Sequence, residues 1–485
     1  MQLTIPINKL DIHHSHMSFT LPIRYDSMGK DDLALTLKAN DYAFFQIDKS
    51  LSEGSVNEDE ISVTGKELKQ YFLPYIEDKL FPTSLDKNGF HRFTKSIMKR
   101  FEYKLRTINM SFVIQSVDII LGPFDIAFLT VKVQLDNQDH ELADVLDFMH
   151  HFRAVEPQLV EEQGMVIICP ENGNHLSIRH LLFEYLCPFL EKFILHDAKS
   201  NSYSGSLPYF EDERMYTTAF LFCQQDSLIT DDQLYRMGAL DGRLPNGQLF
   251  ISANNPDYIQ RSLNQSLHDR WAPNTYTVTT EHAFVTVTNC LPKDMSRELS
   301  QYMGTHYYNF LLHYFYKIML LRMSFEYSQI EWEKDEEYVK SLIKFITLFS
   351  AGYYSQEVST RSEGKELSLM FRQAFNIDCL YKEVNTTLHE LYKSQENQAS
   401  DKMNMLLFIL TIFTVISGIY GMNLVIEDWE SPFGWRQFSS YTFFEWISLV
   451  TALSGIGLSA YLVVTTFGKM MMSKLRRKKS NSRMK

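Results

Sequence analysis

Two runs without a charged residue constrain this chain most: residues 403–426, 24 positions, and residues 446–468, 23 positions. Either run, as a helix, is long enough to cross a hydrocarbon core of about 30 Å. The sequence therefore predicts two membrane helices, both at the C-terminal end. The N-terminal MQLTIPINKL has no basic segment followed by an apolar one, so no signal peptide is expected. The whole chain has a net charge of −12 and 22% charged residues, with a mean hydropathy of −0.20. Those values exclude a polytopic membrane protein, a disordered chain and a nucleic-acid binder with a basic surface.

Charge asymmetry orients the predicted hairpin. Residues 469–485 hold eight basic side chains and no acid, whereas the connecting loop 427–445 holds Glu427, Asp428, Glu430 and Glu445 against Arg436 alone. The positive-inside bias places both termini in the cytoplasm of an inner or plasma membrane, with the basic tail against anionic lipid headgroups. Cys169, Cys187, Cys223, Cys290 and Cys379 form no C-x-x-C pair and are odd in number, which fits buried thiols in a reducing compartment.

The soluble part divides by composition. No proline occurs between Pro292 and Pro432, a stretch of 139 residues that reads as long helices. Before it, runs such as 119–135, 165–170, 217–223 and 282–289 read as strands, while 141–155 and 178–195 read as helices. The expected organisation is an α/β domain over 1–295 and a helical hairpin and stalk over 296–402. A first membrane helix (403–426), an outer loop (427–445), a second membrane helix (446–468) and a basic tail (469–485) follow. From about Lys365 a single helix could run to Gly421, roughly 85 Å at 1.5 Å per residue.

Steps of three and four back from Gly421 give Gly418, Thr414, Thr411, Leu407, Asn404, Ser400 and Asn397. All but Leu407 are small or polar, and their neighbours are large and apolar. Such a stripe suits a helix facing a water-filled axis, and it equally suits close helix packing. Two helices cannot enclose an aqueous path, so a pore would require a ring of subunits.

The sequence Gly418-Ile419-Tyr420-Gly421-Met422-Asn423 ends the first apolar run. Tyr-Gly-Met-Asn at that place, with the two-helix C-terminal hairpin, the basic tail and the long preceding helix, resembles the CorA family of divalent-cation channels. The resemblance implies a funnel-shaped homopentamer that admits divalent cations, Mg²⁺ above all, passively. Gly421, Met422 and Asn423 would then form the outer selectivity ring, with Asn397, Ser400, Asn404, Leu407, Thr411, Thr414 and Gly418 lining the pore. Glu427, Asp428 and Glu430 would gather cations at the mouth. Neutral amide and carbonyl oxygens suit an ion that keeps its water shell. The chain departs from the family where Leu424 replaces an aromatic and Ile412 a proline.

Family channels are also gated by divalent ions held between cytoplasmic carboxylates, a role for which Glu333, Glu336 and Glu337 are candidates beside the plainer reading of a solvated helix face. His13, His14 and His16, and the His150–His151 pair, lack cysteine or carboxylate at ligand spacing. Tyr307–Tyr316 reads as core. No phosphate-binding loop appears: Thr64-Gly65-Lys66 lacks the first glycine and the following hydroxyl. No dinucleotide fingerprint or nucleophile elbow is present either, so no enzymatic activity is expected. The α/β region exceeds that of typical family members. Some CorA-like proteins accompany CRISPR-type antiviral defence, and the alternative expectation is an effector gated by a nucleotide second messenger bound in that enlarged domain.

Overall fold

The computed structural model describes residues 6–421 apart from 27–28, 48–50, 57–58, 64, 86–87, 106–107, 137, 158–162, 170–174, 196–206, 208–213 and 331–335. Beyond 421 it describes residues 442–443, 446, 450, 453–454, 457, 460–461 and 464. The chain forms two compact units, residues 1–387 and 388–485.

Strands and helices are interspersed along the first unit. In chain order they are β1 (Asp11–Arg24), α1 (Lys30–Ala39), β2 (Ala43–Phe44), β3 (Leu51–Val56), β4 (Asp59–Val63), α2 (Gly65–Tyr71) and α3 (Pro74–Leu80). Next come β5 (His91–Leu105), β6 (Ile108–Leu121), β7 (Ile126–Leu135), β8 (His140–Glu141), α4 (Leu142–Phe152), β9 (Met165–Ile168), β10 (His175–Leu176) and α5 (Ile178–His180). The order continues with β11 (Tyr216–Cys223), α6 (Asp231–Ala239), α7 (Pro256–Ser266), β12 (Leu267–Trp271), β13 (Thr275–Thr279) and β14 (Ala283–Thr288). The helical remainder is α8 (Pro292–Gln301), a π-helical turn (Tyr302–His306), α9 (Tyr307–Ser328), α10 (Glu336–Gly352), α11 (Ser362–Ala374) and α12 (Ile377–Gly421).

Twelve strands make one sheet, in the order β10-β9-β5-β6-β7-β1-β11-β14-β13-β12, with β2 beside β5 and β8 beside β1. The β11–β14 pair is parallel and the other described pairs are antiparallel. The apolar run 119–135, which reads as one strand in sequence, is instead the end of β6 and all of β7. Phe124 and Asp125 adopt φ of 59° and 63° in the turn between them, and the Gly122 N–H donates its closing bond to the Ile126 carbonyl at 2.8 Å.

The period-two alternation of the strands gives the sheet two unlike faces. One is aliphatic and aromatic: Phe19 of β1 and Phe112 of β6 pack on Phe148 and Phe152 of α4. Leu129, Val131, Leu221 and Val285 join the same core. The opposite face is rich in hydroxyls and charge, and α9 covers it. Thr20 and Thr130 are bonded at 3.0 Å, Tyr307 reaches Thr130 at 2.9 Å, and Phe310 stacks on Tyr216. Under α9, Asp118 meets Arg92 at 2.8 Å and Lys132 at 3.3 Å, all three being at most 2% exposed. Arg92 also donates to the Tyr308 hydroxyl at 2.9 Å. Burial lowers the Lys132 ammonium to about 7.

The structure corrects two expectations. Among the described residues no helix is long and apolar enough to cross a membrane, so the pair of C-terminal membrane helices, and with them the two-pass membrane location and the channel architecture, are withdrawn. The described part of 403–426 belongs to α12, a helix that starts 26 residues earlier in polar sequence. Of 446–468 only scattered residues are described. The single helix expected from Lys365 to Gly421 is interrupted as well: α11 stops at Ala374, Asn376 adopts a φ of 53°, and α12 begins at Ile377. An amide side chain tolerates the left-handed region, so a break needs no glycine or proline to announce it.

Candidate functional site

A constellation of polar and aromatic side chains around open space lies on the hydroxyl-rich face at the β12 edge of the sheet. Its floor comes from alternation. Thr277 and Thr286 face each other across β13 and β14 with hydroxyls 2.8 Å apart, and Thr275 and Thr288 repeat the arrangement at 2.7 Å. Phe220, opposite Thr286 on β11, extends the floor. Pro292 at the first turn of α8 fixes that helix, which supplies Asp294, Glu298 and Gln301 to the wall. Tyr302 follows, stacked on Phe284 at 5.3 Å and donating to the Phe284 carbonyl at 2.9 Å. The cavity enclosed is about 350 Å³, at the small end of the range for ligand pockets, roughly 300–1,000 Å³.

Its entrance is held by carboxylates of α11. Glu363 accepts from the Trp271 indole at 3.2 Å and from the Gln301 amide at 3.0 Å, and stands 3.6 Å from His306. Glu366 takes His268 at 2.9 Å and Arg270 at 3.0 Å. These bonds tie the first turns of α11 to β12 and α8. Burial lowers His306 to about 4, so its ring is neutral near pH 7. Its Nδ1 is buried without a hydrogen-bond partner. Burial also raises the Glu298 carboxyl, with Thr275 and Thr288 holding it down in part. The Cys290 thiol is raised by burial too, so it is no ready nucleophile. The lining offers flat rings in Trp271 and Tyr302, side-chain amides in Asn274 and Gln301, and paired hydroxyls. Cys290 also shares a hydrogen bond with Glu298, and the rings, amides and hydroxyls together suit the binding of a small polar molecule.

The residues singled out in the sequence lie elsewhere. Asn397, Ser400, Asn404, Leu407, Thr411 and Thr414 are all exposed on α12. Thr411 and Thr414 turn their hydroxyls back onto the carbonyls of Leu407 and Leu410. Gly418 lies in the last turn and Gly421 ends the helix, while Met422, Asn423, Glu427, Asp428, Glu430 and Glu333 lie outside the described residues. Glu336 and Glu337 start α10 and share Lys340, at 3.1 and 3.5 Å. His13 pairs with Asp139, whereas His14 and His16 sit opposite Phe222 and Phe220 in the sheet. His150 and His151 end α4, and His151 Nδ1 donates to the Asp147 carbonyl. Among the described residues, no group of three or more His, Cys, Asp or Glu could hold a metal ion. The cavity residues were not singled out because they come from seven separate elements, and only the Thr alternation of TYTVT and AFVTVT hinted at a polar buried face.

No family model matches the chain, and neither the curated proteins nor the solved structures searched contain a match.

Proposed function

We propose that this protein is a small-molecule sensor whose α/β unit binds a nucleoside-bearing ligand in the cavity between β12–β14, α8 and α11. The channel expectation rested on membrane helices and falls with them; the messenger-binding expectation needs only a cavity. The observation that supports it is the pairing of flat rings with amide and hydroxyl groups at one concave place. That combination recognises the edge and face of a heterocycle. The Glu363 and Glu366 bonds give binding a route outward, because a ligand that displaces Trp271 or Gln301 alters how α11 is held.

The test is titration of the full-length protein with a panel of nucleosides and nucleotides, followed by calorimetry and by Trp271 fluorescence. Saturable binding is expected, and Thr277→Leu, which fills the floor, should abolish it while the thermal midpoint stays within a few degrees. Trp271→Phe should remove the fluorescence change and keep the calorimetric signal. Absence of binding by every member of the panel would refute the proposal.

A further inference from the structure

We propose that Asn246 is a spontaneous modification site, an amide that converts to aspartate and isoaspartate at a rate set by the turn that carries it and by Arg243 beneath that turn. Asn246 and Gly247 stand at the tip of a hairpin loop between α6 and α7, where Pro245, Asn246, Gly247 and Gln248 are all exposed. Arg243 and Leu249 bridge the base of the loop, and the Leu244 N–H donates to the Gln248 carbonyl at 2.8 Å. The Gly247 N–H closes the turn on the Leu244 carbonyl, also at 2.8 Å. Pro245 in second place and Gly247 in fourth suit such a turn, and Gly247 holds a φ of 85° that a residue with a β-carbon would resist.

The reaction is internal. The Gly247 backbone nitrogen attacks Cγ of Asn246, a C–N bond forms, and the side-chain nitrogen leaves as ammonia with the proton that the backbone nitrogen gives up. Water then opens the cyclic imide at either carbonyl, so that an amide and a water become a carboxylate and an ammonium ion. Glycine favours the step because no β-carbon crowds the attacking nitrogen. The Gln248 N–H, bonded to Asn246 Oδ1 at 3.0 Å, polarises the carbonyl under attack. Two bonds oppose the step: Leu244 holds the Gly247 N–H, and Asn246 Nδ2 donates to Gln248 Oε1 at 3.1 Å. The ring therefore closes only when the turn opens. Arg243 governs that opening. Its side chain donates to the Gly247 carbonyl at 3.2 Å while pairing with Asp144 and Glu141, each at 2.6 Å, and its backbone N–H donates to Asp147 at 2.9 Å, which pins the turn to α4. A second Asn-Gly pair, Asn88–Gly89, is held more tightly: Gly89 is buried, with the Lys79 carbonyl 2.4 Å from where a β-carbon would lie. Asn172–Gly173, the third, lies outside the described residues.

Peptide mapping by mass spectrometry of the full-length protein, aged in mildly alkaline buffer, is the test. Aspartate and isoaspartate should accumulate at position 246 and not at 88, and more slowly at neutral pH, because the attacking nitrogen must first lose its proton. Arg243→Ala, which removes a charge-assisted bond to the Gly247 carbonyl, should raise the rate about tenfold. Gln248→Ala frees only the exposed Asn246 amide nitrogen and should also raise it, which keeps the comparison open if Arg243→Ala fails to fold. Equal rates in the wild type and in a folded Arg243→Ala, checked by circular dichroism, would overturn the control by Arg243. An intact Asn246 in the aged wild type and in both variants would overturn the site itself.

Discussion

Asp118 is fully buried between two cations. It neutralises Arg92 and Lys132 beneath α9, where neither cation reaches water. Removing the counter-ion strands the buried Arg92 guanidinium, while Lys132, already lowered to about 7, can shed its proton, so Asp118→Asn should cost about 3–5 kcal/mol in urea unfolding. Lys132→Met should cost far less, because it leaves the Arg92–Asp118 pair balanced. Burial also depresses four histidines: His16, His306 and His313 to about 4 and His150 to about 3. Between those values and the ordinary 6.5, the unfolded chain binds protons that the folded one refuses. Stability is therefore full above about pH 6.5 and is lost as the pH falls, by roughly 1.4 kcal/mol per pH unit for each group once it titrates. The thermal midpoint should drop between pH 7 and pH 5; a flat profile would contradict these assignments.

Among elements, the junction of α11 and α12 is the most sharply defined. Arg372 donates to Tyr354 at 2.8 Å, pairs with Asp378 and lies over the Tyr354 ring, and Tyr354 stacks on Tyr381 at 3.9 Å. Asn376 holds its left-handed conformation within this lock. Asn376→Gly should be nearly neutral, whereas Asn376→Val should lower stability by about 1–2 kcal/mol, read as a shift in thermal midpoint. Sequence pattern made α4, β9, β11 and β14 legible, because their apolar periodicity is unbroken. It could not resolve β6 from β7, where a tight turn interrupts an apolar run without changing its composition. It also passed over β1 and β5, whose histidines, lysines and arginines read as surface yet point in part into a buried polar face. The cavity stayed illegible for a related reason: its side chains are ordinary threonines, glutamates and aromatics until the topology gathers them.

At the scale of the whole molecule, α12 poses the clearest demand. Met403, Met405, Leu406, Leu407, Phe408, Leu410, Phe413 and Val415 are all exposed on it. An apolar surface of that extent needs a cover. A second copy of the chain is the partner proposed, through helices whose small and polar residues recur at steps of three and four. Light scattering of the full-length protein should report an oligomer, and Leu406→Glu with Phe413→Glu should reduce it toward a monomer; a monomeric wild type would rule this out.

The two faces of the large sheet also differ in how they would meet water. On the α4 side, separation would bare phenylalanine and leucine to solvent, at the full hydrophobic penalty. On the α9 side it would bare Phe310, Phe315 and Ile318, all fully buried, and would in addition hand the Thr130–Tyr307 and Arg92–Tyr308 hydrogen bonds to water. Native-state hydrogen exchange should therefore be slow along both α4 and α9, two sides held shut by different means.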